Sequence, residues 1–195
     1  LASVAQGRNN AQSLIELGAA QTLVAMLADT VNWEDEEERL TAINAISKAI
    51  GSIASKETLD DSTQAVPWLL HALTITESPV VLQAVTAVAT TDQNVSSLIA
   101  GNGVESIIGC LQKHPNDQAI SSSAFQALAK MAASGESAVD KITQSGGLMI
   151  CKDFLENQVE TATAEQQLEA MKLMGCLVTQ ESTAAYIDSS GGVEA

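Results

Sequence analysis

Ala65-Val66-Pro67-Trp68-Leu69-Leu70-His71-Ala72-Leu73 has counterparts elsewhere in the chain. From Val66 it runs through an apolar opening residue, an apolar pair and a leucine seven positions on. The same frame occurs in Ala20-Gln21-Thr22-Leu23-Val24-Ala25-Met26-Leu27, in Val104-Glu105-Ser106-Ile107-Ile108-Gly109-Cys110-Leu111 and in Leu148-Met149-Ile150-Cys151-Lys152-Asp153-Phe154-Leu155. A fifth copy starts at Val193. The opening residues stand at 20, 66, 104, 148 and 193, at intervals of 46, 38, 44 and 45. The mean of about 43 falls within the roughly 40–47 residues of stacked units of two or three helices, and a period near 34 does not fit.

The flanks repeat too. Gly18, Gly103, Gly147 and Gly192 precede the openings, and glycine at such a place is expected to end one helix in a left-handed conformation. Before each glycine lies a short amphipathic piece: Asn10–Leu17, Asn94–Ile99, Ser137–Ile142 and Thr183–Ile187, with apolar residues three or four apart. After each frame come a polar turn and a longer helix, expected over Glu34–Ile50, Val80–Thr90, Gln118–Ala133 and Ala164–Val178. Small residues mark those helices at matching places: Ala42 and Ala45, Ala84 and Ala87, Ala124 and Ala127, and Ala170 with Leu173. They let neighbouring helices stack closely. Pro67 is placed at a first helical position, where its missing N–H costs nothing. The short helix is weak over Glu57–Gln64, and a two-helix unit of the HEAT kind stays open there.

Composition bounds the function. The 195 residues are 46% hydrophobic and 3% aromatic, with a formal net charge of −15. The apolar fraction suits a folded domain. So few aromatics leave little for base stacking, and clustered Lys and Arg for phosphate binding are missing, so nucleic acid is not an expected partner. Nor is an anionic membrane surface. No apolar run approaches the ~20 residues of a membrane helix, and Leu1–Ala5 is not a signal peptide. The chain lacks an initiator Met and ends on a newly opened unit, so a segment of a longer protein is expected. Cys110, Cys151 and Cys176 are odd in number and lack zinc spacing, so buried, reduced thiols are expected. The expected compartment is the cytoplasm, with nucleus, cilium and cytoskeleton as alternatives.

The repeating unit resembles the armadillo repeat: a glycine, an apolar-Pro pair, an apolar second helix, then a third helix with an Ala-x-x-Ala-Leu core. Ala65–Leu73 is the best match to the second helix, and Ala124-Phe125-Gln126-Ala127-Leu128 matches the third. The resemblance implies an all-α, right-handed α-α superhelix. It covers about four three-helix repeats, near 18–64, 65–102, 103–146 and 147–191, with partial repeats at 1–17 and 192–195. Third helices would line a groove. In importin-alpha and beta-catenin that groove carries an asparagine ladder that holds an extended peptide. In importin-alpha, tryptophans add lysine pockets.

Here the ladder positions hold Lys48, Thr90, Lys130 and Cys176, and the tryptophan positions hold Asn44, Thr86, Gln126 and Lys172. Nuclear-localisation-signal binding of the importin kind is therefore not expected. These eight residues are the candidate groove. Lys48, Lys130 and Lys172 are three of only nine basic residues, so the groove would suit an acidic or neutral peptide. The alternative is that they are a solvated helix face. The run Glu34–Glu38 reads as a helix start favoured by the helix dipole rather than as a cation site. Only His71 and His114 could serve as imidazole bases, no nucleophile motif accompanies them, and no phosphate loop or dinucleotide motif occurs.

A non-catalytic scaffold is therefore expected, binding a protein or peptide through the groove or by lateral docking in a larger assembly, cytoskeletal or axonemal for example. The alternative is a regulatory module, an armadillo-like GTPase exchange factor or co-chaperone, gripping a folded domain. No cofactor and no metal are expected. Stacked repeats stabilise only their neighbours, so flanking repeats or other subunits are expected to cover the ends, and the isolated segment is expected to self-associate or fray.

Overall fold

The computed structural model describes residues 8–59, 64–157 and 162–178. Among these are eleven α-helices and no strand: α1 (Arg8–Glu16), α2 (Ala19–Asp29), α3 (Glu36–Ala54), α4 (Ala65–Thr76), α5 (Pro79–Val88), α6 (Asp92–Ala100), α7 (Gly103–Lys113), α8 (Gln118–Ala132), α9 (Glu136–Gln144), α10 (Gly147–Asn157) and α11 (Ala164–Val178). The short pieces are α1, α6 and α9, the quoted frames are α2, α4, α7 and α10, and the long helices are α3, α5, α8 and α11. Thr183–Ile187, the glycine pair 191–192 and the Val193 opening lie outside the described residues.

The period is written in the backbone. Gly18, Gln64, Asn102 and Gly146 have φ of 73°, 54°, 59° and 89°, and each stands immediately before a second helix. Their spacings are those of the first four openings. A left-handed residue turns the chain sharply, so each second helix leaves at an angle to what precedes it. This corrects one expectation. Gly103 and Gly147 are not the left-handed residues. They are the first residues of α7 and α10, and each is glycine because a Cβ has no room. A Cβ on Gly103 would stand 2.7 Å from the Leu98 carbonyl oxygen, and one on Gly147 2.9 Å from that of Ile142.

Other boundaries shift for local reasons. α3 starts at Glu36 because Asp35 caps it, its carboxylate accepting the Glu38 N–H at 2.9 Å. Asp117 caps α8 through the N–H groups of Ala119 and Ile120, both at 2.9 Å. α5 begins on Pro79 at its first position, capped by Ser78, and ends at Val88, so Thr90 lies beyond it. Pro67 is the third residue of α4, still in the first turn, where N–H groups have no helical acceptor. Thr163 and Gln166 form a reciprocal capping pair at the start of α11.

Two compact units divide the chain, Leu1–Ser106 and Ile107–Ala195. In the first, α3 packs along α5, and α2 along α3 and α4, around Leu27, Ile43, Ile50, Leu69, Leu73 and Leu82, each at most 2% exposed. The α3–α5 approach is close: a Cβ on Gly51 would be 3.1 Å from Ala84 Cα. In the second, α8 packs along α11 and α9, around Ile107, Phe125, Leu128, Ile142 and Leu173, all fully buried.

Between Ala54 and Ala65 the described residues hold no helix. Something else closes the core there. Leu59 is 1% exposed, and its carbonyl accepts a 2.7 Å hydrogen bond from Asn94 Nδ2, which also donates to Val88 O at 2.9 Å. A buried amide thus ties Leu59 to the end of α5.

Candidate functional site

Seven of the eight candidate positions fall on the third helices and Thr90 just past the end of α5, four positions in each unit. In the first unit Lys48 is exposed on α3. Asn44, one turn earlier, is half-buried, and its Oδ1 accepts no hydrogen bond among the described residues. Thr86 is buried within α5, and its hydroxyl donates to Leu82 O at 2.9 Å, a back-bond that spends its donor inside the helix. Thr90 is exposed in the turn after α5.

In the second unit Gln126 is exposed and Lys130 half-buried on α8. Burial lowers the Lys130 ammonium below the usual lysine pKa, because partial desolvation disfavours the charged form. On α11 the Lys172 ammonium lies 2.8 Å from Glu169 Oε1, an intrahelical pair whose carboxylate side chain is only 11% exposed. Part of the charge assigned to that position is therefore neutralised within the helix. Cys176, one turn on, is half-buried.

The acidic run does what a helix start requires. Asp35 is the cap and Glu36, Glu37 and Glu38 fill the first turn of α3. The sequence did not show that Trp33 stands over this turn. With Asp35, Glu37, Glu38, Thr41 and Ala45 it lines an open cleft of about 550 Å³. The indole is 39% exposed, with its N–H 3.5 Å from Asp29 Oδ2. A face of tryptophan beside three carboxylates is chemistry that attracts a cationic side chain.

The remaining titratable groups are placed as packing or surface. His71 is exposed and stacks edge-on against Trp68, centroids 5.9 Å apart. Cys110 and Cys151 are buried, and burial pushes the Cys151 thiol up to about 12, the opposite of an activated nucleophile. Among the described residues no group of His, Cys, Asp and Glu is placed to hold a metal ion, and no single helix is long and apolar enough to cross a membrane.

No protein-family model matches the sequence, and neither does any curated protein. Solved structures do. A designed armadillo repeat protein superposes with a TM-score of 0.81 at 20% identity, over 98% of this chain and 79% of that one. A second, in complex with the peptide (KR)4, gives 0.79 at 20% identity over 98% and 78%. An engineered protein gives 0.79 at 23% identity over 98% and 76%. At such identities the likeness speaks to architecture, and the architecture agrees with the left-handed residue that opens each second helix: the chain has an armadillo-type repeat fold.

Proposed function

We propose that this chain is a non-catalytic protein-binding module that takes an extended, acidic or neutral peptide on its third helices. The observation that carries the reading is the exposed edge of those helices. Lys48 in the first unit, and Gln126, Lys130 and Lys172 in the second, keep long polar side chains at the solvent edge of helices otherwise buried against their neighbours. Flexible amides and ammonium groups so placed suit backbone carbonyls and carboxylates of a strand-like ligand. The designed neighbour in complex with the basic peptide (KR)4 supports peptide binding by this fold, without supporting the acidic or neutral charge proposed here.

A second reading rests on the Trp33 cleft, where Asp35, Glu37 and Glu38 favour a basic side chain instead. Fluorescence anisotropy with labelled (DE)4 and (KR)4 peptides separates the two. The acidic peptide is expected to bind, and reversal of all three lysines (Lys48→Glu, Lys130→Glu, Lys172→Glu) is expected to weaken it about tenfold, the sum of three surface ion pairs at ~0.2–1 kcal/mol each. Binding of (KR)4 lost in Trp33→Ala, with the lysine variants unchanged, favours the cleft. Capture of neither peptide, with retention of a folded partner, points to a regulatory module gripping a globular domain.

A further inference from the structure

In the second unit a cleft of about 210 Å³ opens between α7, α8 and α10. None of the eight candidate positions lines it. Its walls are apolar: Leu111, Phe125, Ile150 and Phe154. Phe125 and Phe154 are the chain's two phenylalanines, and they meet edge-on at its floor, centroids 4.8 Å apart. Their exposures are 0% and 6%, so the floor is fixed by packing. Ser121, at the back, already donates its hydroxyl to Asp117 O at 2.8 Å. The polar groups at the mouth are Gln112, Asp153 and Asn157, all exposed. Of the neighbouring cations, Lys152 faces Glu156 at 4.0 Å, and Lys113 follows Gln112 at the end of α7.

Repeat register makes the feature local. Val85 and Cys110 hold the places matching Phe125 and Phe154 at the preceding α5-to-α7 step, and Ile43 and Ala72 hold them at the α3-to-α4 step before that, so an aromatic floor is not a property of every repeat. An apolar cavity of about 150 Å³ already accommodates benzene. This one is larger and open at one side, so a side chain can enter without moving the floor.

We propose that the cleft is a second docking site, taking one leucine- or phenylalanine-sized side chain from a partner peptide that carries Lys or Arg beside it. The apolar walls select the anchor. Asp153 at the rim, in a chain of net charge −15, selects the neighbouring cation.

The test uses the full chain with methyl-labelled Leu and Ile and a set of capped tetrapeptides at millimolar concentration. Acetyl-Gly-Phe-Arg-Gly-amide is expected to shift the Leu111 and Ile150 methyl resonances saturably. Replacing Phe by Ala is expected to abolish the shifts, and replacing Arg by Glu to weaken binding. Asp153→Asn is expected to lower affinity about threefold at low salt and to remove its salt dependence. Unmoved Leu111 and Ile150 methyls, equal binding of the Ala peptide, or binding of benzene but of no peptide would each overturn the proposal.

Discussion

Gly147 and Gly109 make opposite demands on the same substitution. A Cβ on Gly147, the first residue of α10, would press on Ile142 Cγ2 and stand 2.9 Å from its carbonyl oxygen. A Cβ on Gly109, inside α7, would meet nothing within 4 Å. Gly147→Ala is therefore expected to destabilise by about 1–3 kcal/mol, the cost of overpacking. Gly109→Ala is expected to stabilise by about 0.5–1 kcal/mol, by restricting the unfolded chain in a helix interior. Denaturant midpoints of the two variants check this, and equal midpoints would refute it.

Cys151 supplies a residue-scale pH dependence. Its thiol is raised from 9.0 to about 12 by burial. With rising pH the unfolded chain loses this proton first, so the unfolded state binds fewer protons and stability falls. The contribution is complete below about pH 9 and is lost progressively toward about pH 12. Cys151→Ala is expected to flatten that alkaline decline in a series of melts, and an unchanged slope would remove Cys151 as its source.

At the scale of elements, much was legible because it is periodic. The four long helices and the four frames follow from apolar spacing and polar breaks, and α11 spans Ala164–Val178 as its pattern predicts. What was not legible depends on contacts far apart in sequence. Gln64 and Asn102 occupy the left-handed corner without being glycine, so a search for glycine alone misplaces it. The burial of Thr86 follows from its place on α5, which side-chain type does not reveal. Asn94 reads as one polar residue of a short amphipathic helix, yet it holds Leu59 from 35 positions away. Asn94→Ala orphans the Leu59 carbonyl in a buried place, while the Val88 carbonyl keeps the Thr90 N–H at 2.8 Å, and a loss of about 1–3 kcal/mol is expected. Asn94→Asp keeps the shape but presents an acceptor to two acceptors, and is expected to be at least as damaging. Hydrogen exchange at residues 53–59 is the direct measurement: protection is expected to fall there before it falls in α8.

At the scale of the whole molecule, a chain of stacked repeats is expected to have each repeat stabilised by its nearest neighbours. The sequence anticipated repeating units, and the compact units of the structure meet at Ser106 and Ile107, inside α7, rather than at a linker. No composition shift marks that place. Both tryptophans, Trp33 and Trp68, lie in the first unit, so their fluorescence reports that unit while helical ellipticity reports both. Phe125→Leu removes part of the aromatic floor in the second unit, a loss of about 1–2 kcal/mol. If stabilisation is local, the ellipticity curve moves to lower denaturant and broadens while the tryptophan curve moves less. A single transition, shifted equally by both probes, would mean that the solenoid unfolds as one body and that the nearest-neighbour description fails for this chain.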